Sequence, residues 1–306
     1  MSIADSAASA ARARVSAGAI APRTGGDRAK DAGFKALLLF CLSVGIVALG
    51  VLIYDVASDG LGRLSWDFLT SFPSRVSPER SGIQSALIGT LYLMATCAIF
   101  IVPVGVATAI YLEEYADRDK WWNRVIEVNI QNLAAVPSVV YGILGLAFIV
   151  RGPLSLGRVL LAGALTLGLL VLPVVIIVAR EAIRAVPPSI REGSMALGAT
   201  QWQTIWKQVL PGAIPGVATG VILALSRAIG ETAPLLIIGA AGSQRFNPNG
   251  LFDSFTALPI QIFVWVQDPD TEFKLLAAAA ILVLLGLLVI MNAGAIYLRN
   301  RYEQKW

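Results

Sequence analysis

Residues 34–54 form a run of 21 residues with a single charge, Lys35, near its start. At 1.5 Å per residue a helix of that length covers roughly 30 Å, the thickness of the hydrocarbon layer of a bilayer. Residues 82–112, 130–150, 159–179 and 275–298 carry no charge at all, and 213–240 carries only Arg227 and Glu231. Inside lipid every backbone N–H and C=O has to be satisfied within its own segment, so runs of this kind fold as helices. Six spans are predicted, an even number that places both termini on one side. The expected class is an all-α integral membrane protein with a 34–306 transmembrane domain.

Composition agrees with that class: 56% of residues are hydrophobic, 14% are charged, and the mean hydropathy is +0.71. With the N-terminus inside, 16 of the 24 Lys and Arg fall in cytoplasmic segments, as the positive-inside rule requires. The basic pI of about 9.2 is thus a result of topology and gives no reason to invoke nucleic acid. Residues 1–33, rich in Ala, Ser, Gly and Arg, have no apolar core and are expected to form a disordered cytoplasmic tail. Its Arg12, Arg14, Arg23, Arg28 and Lys30 suit either solvent or anionic lipid. Cys41 and Cys97 lie in apolar spans and predict no disulfide framework, and the absence of histidine excludes His-based metal sites and proton relays.

Between two apolar runs, residues 180–211 read REAIRAVPPSIREGSMALGATQWQTIWKQVLP, too polar to cross a membrane and too regular for a slack loop. Ser189 with Glu192 and Thr200 with Gln203 each fit a capping box, and Gly198 suits the left-handed turn between two short helices. Met195, Ala199, Trp202, Trp206 and Val209 recur at helical spacing as one apolar stripe, which suits a partner protein or the lipid interface. Pro211 and Pro215 are expected to bound this element before the next span.

The sequence SRAIGETAP, 226–234, sets Arg227 and Glu231 four residues apart, on one face of a helix. A charge at mid-membrane costs about 2.5–3.5 kcal/mol, so the pair is expected to face protein or water, as a packing ion pair or as part of a solute path. Pro234 removes an N–H beside the pair and pushes against the carbonyl of Gly230. A planar guanidinium suits tetrahedral oxyanions, and the Glu231 carboxylate is expected to accept a hydrogen bond from a protonated phosphate, which sulfate cannot offer.

Elsewhere the expectations are structural. Trp66, Phe68 and Phe72 in the outer connection 55–81 read as interface anchors, and EEYADRDKWWNR after the second span as solvated helix ends without a site. Pro103 bends the second span, and Pro137, Gly142 and Gly145 permit a kink and close packing in the third. Arg151 and Arg158 sit at an outer turn, where they attract an anion or snorkel. The apolar stretch within 251–272 is too short to cross and reads as an interfacial or partly re-entrant helix.

Glu192, Gly193, Ser194, Gly198, Ala199, Leu210 and Pro211 stand at the spacing of the EAA loop, so residues 189–211 resemble the segment by which ABC importer permeases couple to their ATPase. Gly193 and Ser194 replace the usual two alanines, and Gln208 stands where an aliphatic residue is common. SRAIGETAPLL, with TSFPSR, VPSVVYGILGLAF and FTALPIQI, resembles the phosphate importer permeases, and its ETAPLL ending resembles the PstA branch rather than PstC. The similarity runs over roughly residues 64–297. It implies the MetI-like type I importer fold in a bacterial plasma membrane and half of a pathway for inorganic phosphate. The partners it implies are a PstC-like permease, a PstB-like ATPase dimer and a PstS-like phosphate-binding protein. By the family pattern Ser226, Arg227, Glu231 and Thr232 belong to the substrate path. No Gly-Lys dipeptide occurs, so the P-loop GxxxxGK[ST] is absent, no cofactor is expected on this chain, and ATP and Mg belong to the ATPase partner. The alternatives are an ABC permease for another oxyanion or small solute, a secondary transporter using Glu231 as a proton site, and a structural scaffold.

Overall fold

A computed structural model of the chain describes residues 25–302 apart from 118 and 241. The tail reading for residues 1–24, with Arg12, Arg14 and Arg23, lies outside the described residues, whereas 25–33 are helical and open the first helix. Among the described residues every regular element is helical. The chain divides into two compact units, 1–55 and 56–306. In the first, the body of helix α1 (Gly25–Gly60), apolar side chains such as Phe40, Ile46 and Val51 are exposed, the condition of a helix that is apolar on all sides and meets lipid.

The second unit is built around α6 (Leu160–Arg184). Leu167, Val171, Val175 and Ile183 bury its length against α3 (Gln84–Ile110) on one side and α9 (Leu210–Ile229) on the other. Close approach there depends on missing side chains: a Cβ on Gly220 of α9 would lie 1.8 Å from Cγ1 of Val178. The last helix, α12 (Thr271–Tyr302), packs along α9. Leu91, Ile99, Val289 and Ile290 remain exposed, apolar exterior of the kind that lipid or a partner covers.

Among the described residues five helices are long and apolar enough to cross a membrane. A sixth crossing exists only if α4 (Trp121–Ala134) and α5 (Ser138–Leu144, continued by a π-helical turn over Gly145–Val150) count as one, and these are bent by 106°. The third span is therefore broken rather than kinked. Pro137 has extended backbone, provides no N–H, and pushes Val136 out of helical geometry. The span carrying Arg227 is broken as well: α9 ends at Ile229, and α10 (Ala233–Ile238) begins after Thr232. The short helices α5 and α10 that follow the two breaks pack on each other, with Gly142 set against Pro234 and Ile237.

Two sequence expectations change here. Pro211 and Pro215 do not bound the preceding element, because residues 201–229 run on as one helix. The π-helical turn Ile205–Val209 widens the helix just before Pro211, where the missing N–H and the ring would otherwise clash with the preceding turn. In the stretch after 251, α11 (Leu258–Val266) buries Leu258, Ile260, Gln261 and Trp265 against α3 and α12. Phe68, in α2 (Trp66–Thr70), is buried with its ring 6.3 Å from that of Trp265, so it is a core residue, while Trp66 is exposed.

Candidate functional site

The polar element following α6 folds into α7 (Pro188–Ala196) and α8 (Gln201–Thr204), the latter running through the π turn into α9. Gly198, at φ +87°, makes the left-handed turn between them, with nothing near enough to obstruct a side chain. At Thr200 the capping box is present: its hydroxyl accepts from the N–H of Gln203, and the Gln203 side chain accepts from the N–H of Thr200. At Ser189 it is absent. Pro187 and Pro188 start α7 one residue earlier, because a proline at the first helical position needs no cap for the N–H it lacks.

The residues expected to couple to an ATPase differ in exposure. Glu192 and Gly193 are exposed, Ser194 turns inward to share a hydrogen bond with Thr204 (2.9 Å between hydroxyls), and Ala199 is half-buried. A groove of about 430 Å³ runs between α7 and α8 past Gly193, Ser194, Ala199 and Lys207. Leu210 and Pro211 lie in the long helix beyond. Of the apolar stripe, Met195, Trp202 and Trp206 are exposed and only Val209 is in the core. The two tryptophans meet edge to face at 5.3 Å, an aromatic knob on the outside of the element.

The sequence assigned no site to the end of the second span, and the structure places a partly buried ion network there. A π-helical turn over Tyr111–Tyr115 carries α3 past its apolar run. Successive helical residues point about 100° apart, so Glu113 and Glu114 address different neighbours. Glu113, 4% exposed, accepts from Nε of Arg180 at 2.8 Å and from Nη2 of Arg184 at 2.7 Å, arginines four apart on one face of α6. Arg180 also donates to Glu127 of α4 at 2.9 Å. Glu114, 9% exposed, takes Nε and Nη2 of Arg191 of α7 at 3.0 and 2.9 Å. The signal available was two adjacent carboxylates closing one long apolar run and two arginines four apart closing another; its meaning depended on contacts 67 and 77 residues distant.

In the broken span Arg227 and Glu231 come together, but across the end of a helix rather than along its face. The guanidinium Nε lies 3.8 Å from the carboxylate, near enough for attraction and too far for a hydrogen bond. Arg227 is in the last turn of α9, where the helix dipole favours a cation. Pro234 brings no N–H to the carbonyl of Gly230, which takes only a long 3.5 Å hydrogen bond from the Thr232 hydroxyl. Ser226 does not join the pair: its hydroxyl donates to Asn292 of α12 at 3.0 Å. Between the charges and α6 there is a crevice of about 10 Å³, room for one water at most and not for a tetrahedral oxyanion. On its other side Arg227 lines an open groove of about 350 Å³ along α9, whose second charged residue is Arg299 of α12.

Residues 101–303 match the family described as binding-protein-dependent transport system inner membrane component. Among curated proteins, the chain is 32% identical over 226 residues to phosphate transport system permease protein PstA 1 of Mycobacterium tuberculosis (strain ATCC 25618 / H37Rv), covering 73% of this chain and 72% of that one. It is 31% identical over 252 residues to phosphate transport system permease protein PstA of Xylella fastidiosa (strain Temecula1 / ATCC 700964), covering 80% and 84%. It is 35% identical over 229 residues to the probable ABC transporter permease protein YqgH of Bacillus subtilis (strain 168), covering 72% of each. Among solved structures, a chain of a bacterial alginate ABC transporter in complex with its alginate-bound periplasmic protein superposes with a TM-score of 0.65 at 17% identity, over 93% of this chain and 99% of that one. A chain of the inward-facing MetNI methionine ABC transporter gives 0.58 at 16% identity, over 73% and 95%. With this match over most of its length and the same helical fold, the chain belongs to the inner membrane components of binding-protein-dependent transport systems, the ABC importer permeases, with the PstA permeases among its relatives.

Proposed function

We propose that the chain is the PstA-type permease of an ATP-driven importer of inorganic phosphate and forms half of its translocation path. The observation that carries the reading is the Arg227–Glu231 pair at the break between α9 and α10, a cation with most of its surface open beside a carboxylate that does not neutralise it through a hydrogen bond. Once the crevice beside it widens in another state of the transport cycle, such a pair suits a tetrahedral oxyanion that arrives with a proton: the arginine fork takes the charge and Glu231 accepts from the phosphate hydroxyl. The names of the relatives support phosphate over other cargoes.

In this reading both termini are cytoplasmic, and the exposed face of α7 and α8, with Glu192, Gly193 and the Trp202–Trp206 knob, docks on a PstB-like ATPase pair that supplies ATP and Mg. A PstC-like chain provides the other half of the path, and a PstS-like protein delivers phosphate from outside. Closure of the ATPase pair moves the element and switches the bundle between outward-open and inward-open states. Labelled phosphate uptake in phosphate-starved cells, with and without the chain and with excess unlabelled sulfate, tests the reading. Loss of sulfate-resistant uptake is expected. Unchanged uptake in cells without a redundant importer refutes phosphate as the cargo, and Glu231→Gln with full uptake and full discrimination against sulfate refutes the role of that carboxylate.

A further inference from the structure

Four chain segments meet around the pair of Glu114 and Arg191. Its carboxylate Oε1 accepts both Nε and Nη2 of Arg191. The same guanidinium donates Nη2 to the carbonyl of Ile183 at 2.8 Å and Nη1 to that of Val186 at 2.6 Å, so one side chain of α7 holds the end of α6, the connector after it and the end of α3. The backbone carbonyl of Glu114 is among the last of its helix, which have no partner within the helix, and the side-chain amide of Gln201, the first residue of α8, donates to it. The hydroxyl contact between Ser194 and Thr204 then ties α7 to the start of α9.

The covalent path from α6 to α7 is, by contrast, the short connector 185–187. An element attached through that connector alone would swing about it when pushed. Attached at Glu114 through both of its helices, it cannot turn without carrying the end of α3. We propose, resting on the coupling role given above to α7 and α8, that Glu114 is a positioning residue that makes this element and α3 one moving piece. Displacement by the ATPase then passes into α3 rather than being absorbed in the connector.

The test uses the complete transporter in proteoliposomes with its binding protein. Glu114→Gln removes the charge and preserves shape, while Gln201→Ala, at an exposed position, removes only the link to α8. Exchanging the carboxylate for an amide leaves Arg191 a neutral acceptor in place of an ionised one, a weakening that shifts a two-state balance by roughly threefold to tenfold. The expected result is retained ATP hydrolysis in both variants, with ATP consumed per phosphate imported rising at least roughly threefold in Glu114→Gln and less in Gln201→Ala. A ratio unchanged in both variants overturns the proposal, whether their rates stay at wild type or fall together, and so does loss of the Glu114→Gln complex from the membrane while Gln201→Ala keeps the wild-type ratio.

A second readout is independent of cargo: the distance between spin labels at Thr108 and Lys207 on a background with Cys41 and Cys97 replaced. It should stay fixed on nucleotide binding in the wild type and broaden in Glu114→Gln. Broadening already in the wild type overturns the clamp. Wild-type vesicles that import no phosphate overturn the phosphate reading alone.

Discussion

Gly142→Ala tests the contact between the two broken spans. A Cβ at Gly142 would lie 2.8 Å from Cα of Pro234 and 3.0 Å from Cδ1 of Ile237, and the first of these is backbone that cannot rotate away. Carbon atoms pack at about 3.5–4.0 Å, so α5 and α10 would have to part by roughly 1 Å, and inserting a methyl into a filled contact costs about 1–3 kcal/mol. Alanine also favours a helix over glycine by about 1 kcal/mol, which would mask part of the effect. Gly286→Ala supplies the control, since it makes the same exchange inside α12 with nothing within 4 Å of the new methyl. The difference between the two variants isolates the clash. At about 2–4 °C per kcal/mol, Gly142→Ala should melt roughly 2–12 °C below Gly286→Ala. Cys97, fully buried, reports melting through a thiol-reactive dye once the exposed Cys41 is replaced by serine. Equal melting temperatures would refute the packing of break against break.

Gly198→Ala forces a side chain into a left-handed backbone at about 1–2 kcal/mol without touching a neighbour, so uptake should fall at unchanged protein level, and full uptake would argue against a rigid turn there. Thr200→Val removes the cap of α8, worth about 0.5–2 kcal/mol, and should speed amide exchange at Gln201 to Gln203 in mass spectrometry. Arg180→Gln leaves the buried Glu113 with Arg184, a loss of about 1.5–3 kcal/mol, while Glu127→Gln, whose carboxylate is 42% exposed, should cost less than about 1 kcal/mol; dye-reported melting that ranks them the other way would contradict the burial order.

The parts of the fold that were legible in the sequence are those whose cause is local. Hydropathy located the long helices because length and lack of charge are properties of one segment. The Thr200 cap and the Gly198 turn were legible for the same reason, each resting on four or five adjacent residues. At Ser189 a local rule failed because a stronger local feature, the double proline, stood one residue earlier. Pro211 misled because the π turn before it absorbs the defect, and a change of helical register has no signature in residue type. The break at Pro137 could be foreseen as a kink, but its 106° bend depends on where α5 finds packing against α10. The buried carboxylates Glu113 and Glu114 were read as solvated because their partners lie on other helices. Arg227 and Glu231 were found because a charge in a span is conspicuous, yet the helix end between them was not.

The exposure of Arg227 bears on the assembly as much as on the solute. An arginine left with 63% of its side chain uncovered has to face something, and against lipid at mid-depth it would cost about 2.5–3.5 kcal/mol. A second subunit or a water-filled lumen removes that cost, and the energy so recovered is added to the association of the subunits. The charge that would meet the cargo therefore also penalises the solitary subunit. Synthesis of this chain in excess of its partners should leave molecules that are poorly tolerated in the bilayer, so that the partners' copy number sets the stable level of this one.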